Sequence, residues 1–125
     1  MSAHEQLLHP ETRRKERRYV FRRRGTLTAV GNTVAIRTLD VSAQGMGVMS
    51  AIPIKVGASC AVVLDALLGA RIVQLKFSCT AIYCTLVGTE GFRIGLYIDG
   101  SVEAHQQQLQ RIIATCSTLA IREPG

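Results

Sequence analysis

Apolar residues recur along this chain with two periods. Between Thr26 and Ile98 they tend to alternate with polar ones in short β-branched runs, and after Ser101 they recur at steps of three and four. A period of two sends side chains to opposite faces of a strand, whereas a period near 3.6 draws one stripe along a helix. The runs "TLTAV" and "TVAIRTLDV" flank Gly31-Asn32, which predicts a β-hairpin turning at that dipeptide. "DVSAQG" interrupts the following strand and "GMGVMSA" resumes it. Pro53 and Gly57 make "IPIKVG" a connection. "SCAVVLDAL" and "IVQLKFSCTAIYC" read as two strands around a turn at 69–71, and "GTEG" turns the chain into "FRIGLYID". Short strands so spaced predict a small antiparallel barrel or sandwich.

The ending is helical. Asp99, Gly100 and Ser101 offer capping groups, and Glu103 stands in the first turn, where the helix dipole favours an acid. Leu109, Ile112, Ile113, Cys116, Leu119 and Ala120 form one apolar stripe, so a helix over 101–119 is expected to lie across one end of the barrel, followed by a tail at 120–125. His105 falls off that stripe and is expected to be an ordinary surface histidine. Residues 1–12 show no sustained period and read as a flexible N-terminal arm, with a helical turn around Glu5–Leu8.

Composition narrows the class. At 125 residues the chain is one domain. Its longest apolar stretch, around 58–73, is broken by Asp65, Gly69 and Arg71, and falls short of the ~20 residues that span a bilayer. The first ten residues carry no secretory pattern, so a cytoplasmic location without membrane insertion is expected. Cys60, Cys79, Cys84 and Cys116 form no C-x-x-C pair and lie far in sequence from the three histidines. They are expected to be small buried hydrophobes rather than metal ligands. No nucleophile elbow or phosphate-cradling glycine loop occurs, and no carboxylate pair is implied by spacing. The chain therefore reads as a binder, not an enzyme, with no metal and no cofactor.

Charge then becomes the main signal. Of the formal net charge of +6, residues 1–24 hold eight Lys/Arg against three Glu, while the rest of the chain is near neutral. Positive charge gathered in one segment suits a small anionic ligand better than a long duplex. Within "ERRYVFRRRG", Arg18 and Arg22 stand four apart and project to one side. A guanidinium is a planar fork of donors that fits phosphate oxygens or the O6/N7 edge of guanine. The opposite edge of guanine, N1–H and the N2 amine, needs acceptors. In "DVSAQG", Asp40 supplies a carboxylate, Ser42 on the same face adds a hydroxyl, and Gly45 permits a sharp reversal or a close approach to the backbone. Together the two motifs hold the halves of a guanine-nucleotide site.

The pairing of "RYVFR" (18–22) as R-x-x-x-R with "DVSAQG" (40–45) as [DN]-x-S-x-x-G, followed by strands and a late "RIGLYID", resembles the PilZ domain over residues 14–118. The resemblance implies a mainly β chain: a small six-stranded antiparallel barrel with a C-terminal α-helix and a flexible basic N-terminal arm at 13–24. It implies binding of cyclic di-GMP, a bacterial second messenger, by Arg18, Arg22, Asp40, Ser42 and Gly45. It also implies that Arg17, just before the motif, sets stoichiometry, with up to two ligand molecules per chain. Arg93 and Gly95 are secondary candidates, Arg93 for stacking on a base. Arg14 or Arg17 could take the part given to Arg18, and Arg23 and Arg24 have no assigned role. Ligand is expected to order 13–24, because an unpaired charged arm has little to hold it. The expected output is an adaptor acting in trans on an unidentified protein partner. Two rival readings remain. One is a small basic barrel binding RNA or DNA, disfavoured by few aromatics and no tryptophan. The other is a PilZ-like protein adaptor without nucleotide, disfavoured by the retained arginines.

Overall fold

The computed structural model describes residues 17–122, with side chains through 116. The arm at 1–12 with its turn at Glu5–Leu8, Arg14, and the side chains of Leu119 and Ala120 lie outside the described residues. Among the described residues, seven strands precede one helix: β1 (Tyr19–Val20), β2 (Arg24–Ala29), β3 (Asn32–Val41), β4 (Gly45–Ser50), β5 (Ser59–Leu68), β6 (Arg71–Leu86), β7 (Phe92–Ile98) and α1 (Glu103–Arg122). All pairings are antiparallel, in the order β1-β3-β2-β5-β6-β7-β4, and β4 pairs back onto β3. Strands β2–β7 thus close a six-stranded barrel, which leaves no long open edge. The two-residue β1 pairs with the end of β3, beyond the stretch that pairs with β2.

The period of two is what closes the core. Along β5, Cys60, Val62, Leu64, Ala66 and Leu68 point inward, and Ser59, Ala61, Asp65 and Leu67 outward. The barrel is filled by these and by Leu27, Ile36, Val48, Leu75, Phe77, Ile94, Leu96 and Ile98. One end is covered by α1 through Leu109, Ile112 and Cys116, part of the stripe read from the sequence, with Ile113 half-buried at its margin. The strand β4 departs from alternation, since all six of its residues are buried. Its outer face is covered as well as its inner one, and that face lies under the candidate site.

The first hairpin turns one residue earlier than expected. Ala29 pairs with Asn32, so the two-residue loop is Val30-Gly31, with φ of 52° and 79°. Register here follows the inward set, which places Leu27 opposite Val34, rather than the favoured turn dipeptide. Positive φ at both loop positions suits Asn-Gly, whereas a β-branched residue in the left-handed region costs about 1–2 kcal/mol. Val30 is 87% exposed and loses no packing on replacement. Val30→Asn should therefore stabilise the protein by about 1 kcal/mol, read as a higher midpoint in thermal unfolding. An unchanged or lower midpoint would show that the loop is relaxed as it stands.

The helix begins at Glu103, two residues later than expected, and continues to Arg122, past the expected end. Asp99 caps the turn that leads into it. The Ser101 hydroxyl and amide donate to its carboxylate at 2.7 and 3.0 Å, and these bonds hold the Asp99 carboxyl below its ordinary range. His105 is not a surface residue. It is 7% exposed, its ring lies 5.3 Å from that of Phe77, and its Nε2 accepts the Ser78 amide at 2.9 Å. Strand β7 ends opposite Cys79, so the next amide of β6 has no ladder partner and a helix side chain supplies one. Cys60, Cys79 and Cys116 are buried and Cys84 is half-buried, all as free thiols. Burial, reinforced by Cys60 directly opposite, pushes the Cys79 thiol up to about 12, so it stays protonated and behaves as a small hydrophobe.

Candidate functional site

The basic segment is already docked where it meets the barrel. Phe21, 7% exposed, is in the core, and Tyr19 packs against that core. Between them and β2 the chain is tied to β3. The Phe21 amide donates to Leu39 O at 3.1 Å and the Thr38 amide to Arg23 O at 2.8 Å. The buried Thr38 hydroxyl donates to Phe21 O at 2.6 Å and accepts the Arg23 amide at 2.7 Å. Main-chain bonds and the Phe21 anchor tie 19–24 to the barrel, and residues 13–16 of the basic segment lie outside the described residues.

Docking brings the two sequence motifs together. A register shift in β3 between Thr38 and Asp40 sets the Asp40 carboxylate on the outer face, opposite Gly47 of β4. Its Oδ1 accepts Arg18 Nη1 at 2.7 Å and the Gly47 amide at 3.1 Å, while Oδ2 accepts Arg93 Nη2 at 3.1 Å. Charge-assisted bonds of this kind are roughly twice as strong as neutral ones. Asp40 is 15% exposed, against 31% for Arg18 and 46% for Arg93, so the carboxylate is recessed while both guanidinia keep contact with water. Arg93 is thus an ion-pair partner of Asp40.

Two glycines make room for this. A Cβ on Gly47 would stand 2.8 Å from Asp40 Oδ1, and one on Gly95 would overlap the Tyr83 ring. Gly47 pairs directly with Gly95, and Gly95 with Tyr83. The row Asp40–Gly47–Gly95–Tyr83 is therefore bare backbone in the middle, flanked by a carboxylate and an aromatic ring. Gly47 was not assigned from the sequence; its spacing of two from Gly45 placed it on the same face, and only the β3–β4 register shows it meeting Asp40. Thr38 was missed for a similar reason, since an inward threonine in a strand reads as filler.

The other expected residues are Ser42, Gly45, Arg17 and Arg22. Ser42 stands in the β3–β4 turn. It is 1% exposed, and its Oγ accepts the amides of Gly45 at 3.2 Å and Gln44 at 3.4 Å, stabilising the β3–β4 turn. Once β3 ends at Val41 the strand alternation no longer applies, and the hydroxyl turns in to amides that would otherwise lack partners. Gly45 has no left-handed φ; its Cβ would overlap Leu96 O, so the glycine serves the close pairing of β4 with β7. Arg17 is exposed, with its guanidinium carbon 5.7 Å from the centroid of the Tyr19 ring. Arg22 is exposed and lines grooves with Arg23; its carbonyl accepts Arg23 Nη1 at 2.8 Å.

A closed barrel capped by a helix, with an arginine-bearing segment laid against a recessed carboxylate, defines a class of small β-barrel domains. The chain belongs to the PilZ domain family, whose model matches residues 12–115. Its fold is similar to the inhibitor of motility MotI/DgrA of Bacillus subtilis, at TM-score 0.70 and 16% identity over 87% of this chain. This chain spans 53% of that one. It is also similar to the PilZ domain of YcgR from Escherichia coli, a structure with c-di-GMP, at TM-score 0.66 and 22% identity, covering 86% of this chain and 94% of the other. No curated protein sequence matches the chain. Among the described residues, no helix is long and apolar enough to cross a membrane.

Proposed function

We propose that the protein is a receptor for cyclic di-GMP, reading one guanine at Asp40 and passing the bound state to a protein partner. The observation that carries this reading is the ion pair between Arg18 and Asp40, 22 positions apart, which joins the acceptor and donor halves of a guanine site. Arg18, Arg93 and the Gly47 amide all donate to the carboxylate. Guanine N1–H and N2–H are donors of the same kind, so a base can enter by replacing Arg18 at Oδ1. The released guanidinium then faces the O6/N7 edge of that base, and Arg22 approaches the phosphates. Binding in this scheme exchanges one set of charge-assisted bonds for another. It repositions Arg18 on a segment whose other end is fixed by Phe21, and that displacement is the signal to the partner. Ser42 and Gly45 act by holding the β3–β4 turn, and Arg17 and Gly95 border the ligand.

Isothermal titration with cyclic di-GMP should give saturable binding that linear diguanylate and GTP do not match. Arg22→Ala should weaken it by about tenfold or more, the scale of losing one charge-assisted bond. A flat titration of the wild type would overturn the receptor reading. Single-stranded oligonucleotides binding with steep salt dependence and no guanine preference would favour the nucleic-acid alternative.

A further inference from the structure

The outer face of the barrel carries a second charged row, one that Asp40 does not neutralise. Arg24 of β2 and Arg37 of β3 are direct cross-strand partners, and both are exposed. Like charges placed directly opposite across an antiparallel pair destabilise it. Both ion pairs among the described residues fall on Asp40, and neither involves Arg22, Arg24 or Arg37. A groove of about 300 Å³ has Arg22, Arg23, Arg24 and Arg37 among its walls, with Thr38 and Leu39. A second groove, of about 380 Å³, includes Arg24, Arg37 and Glu90 among its lining residues, and among the described residues Glu90 makes no ion pair with either arginine. Four arginines line the first groove; Arg23 Nη1 is held by the Arg22 carbonyl, while Arg24 and Arg37 oppose each other in register, an arrangement that an anion would relieve.

Register places this row relative to Asp40. Arg37 pairs with Met49, and Met49 with Arg93; Asp40 pairs with Gly47, two residues along β4 from Met49. The Arg37 row therefore lies ~7 Å from the Asp40 row along the strands, and Arg24 stands one strand further, ~5 Å away. A nucleotide whose base sits at Asp40 has its sugar and phosphate within that reach. We infer that Arg24 and Arg37 form a phosphate-binding site on the β2–β3 face, taking a phosphate of the nucleotide whose base Asp40 reads. This rests on the receptor reading given above for the base, whereas the anion site itself stands on the Arg24–Arg37 register. Two forks at adjacent strand positions suit the several oxygens of a phosphodiester, with Arg22 closing over the groove.

The test uses wild-type protein, Arg37→Gln and Arg24→Gln, each titrated at one fixed ionic strength with cyclic di-GMP, inorganic pyrophosphate and a hexaglutamate peptide. Thermal midpoints are recorded with and without each probe. The expected result is that both substitutions weaken cyclic di-GMP by about tenfold to a hundredfold. They should abolish pyrophosphate binding, and the unliganded midpoint should hold or rise as the like-charge pair is relieved. A merely structural role would instead lower that midpoint and leave the affinity of the folded protein unchanged. If cyclic di-GMP binds and neither substitution affects it or pyrophosphate, the phosphate site is overturned and the receptor reading survives. If cyclic di-GMP fails to bind but pyrophosphate binds and is lost in Arg37→Gln, the receptor reading falls and the anion site stands. Binding of hexaglutamate without pyrophosphate would overturn the proposal in favour of docking by an acidic protein segment.

Discussion

Asp40→Ala is expected to weaken cyclic di-GMP by about 2–5 kcal/mol, or roughly 30-fold to several thousand-fold in dissociation constant. The size follows from what the carboxylate does. It is the recessed member of its cluster, 15% exposed, and it accepts from Arg18, Arg93 and the Gly47 amide. Its removal leaves guanine N1–H and N2–H facing an apolar methyl group while Arg18 and Arg93 add uncompensated positive charge. Stability should change less. The two arginines are 31% and 46% exposed and return to water, so the fold should lose about 1–3 kcal/mol, chiefly from leaving the buried Gly47 amide without its acceptor. Asp40→Asn keeps one acceptor oxygen and should fall between wild type and Asp40→Ala. Titration calorimetry paired with thermal unfolding separates the two quantities. Affinity unchanged in Asp40→Ala would place the base elsewhere on the barrel.

Much of this was legible in the sequence because alternation and burial are linked directly. The strands from "TLTAV" to "FRIGLYID" are where the period-two runs placed them, since each run has one face that must be buried. The apolar stripe on α1 seats Leu109, Ile112 and Cys116 against the barrel for the same reason. What escaped depended on contacts between distant segments. The turn moved to Val30-Gly31 because Leu27 opposite Val34 outweighed turn chemistry. His105 stands four residues before Leu109, on the buried stripe of α1, and its polar ring hid what that spacing recorded; β6 outruns β7 and leaves it the Ser78 amide as a partner.

The site divides along the same line. The types of residue needed for guanine were visible, and Arg18 and Asp40 do meet. Their geometry was not, because it depends on the β3 register shift that aims Asp40 at Gly47 and on the Thr38 hydroxyl that fixes the arm. Ser42 adds a structural part that the motif did not announce: its hydroxyl accepts the turn amides and so serves the shape of the site. Arg24 and Arg37 lie 13 positions apart, and only the β2–β3 pairing shows that their charges are opposed.

Phe77→Ala should have the opposite profile to Asp40→Ala, destabilising the fold by about 3–5 kcal/mol with little change in ligand affinity per folded molecule. Phe77 is 2% exposed and ranks among the large side chains that fill the barrel. It stands opposite Val62 on β5, and its ring lies 5.3 Å from His105 on α1. Truncation therefore opens a cavity where barrel and helix meet, and neighbouring strands locked in a closed ring cannot collapse to fill it. It also removes the aromatic cover from His105, whose bond to the Ser78 amide secures the end of β6. A loss of that size is a large share of the ~5–15 kcal/mol that stabilises a typical domain. Chemical denaturation should show the midpoint falling with an unchanged slope, and amide exchange in α1 should accelerate first. Phe77→Leu keeps most of the volume and should cost less than about 1.5 kcal/mol. If Phe77→Ala matched Phe77→Leu, the barrel end would be able to repack around the loss, and the helix would be a loosely held cover rather than part of the core. A normal ligand titration for Phe77→Ala, run well below its midpoint, alongside the weakened one for Asp40→Ala, would show that fold and recognition rest on the inner and outer faces of the same barrel.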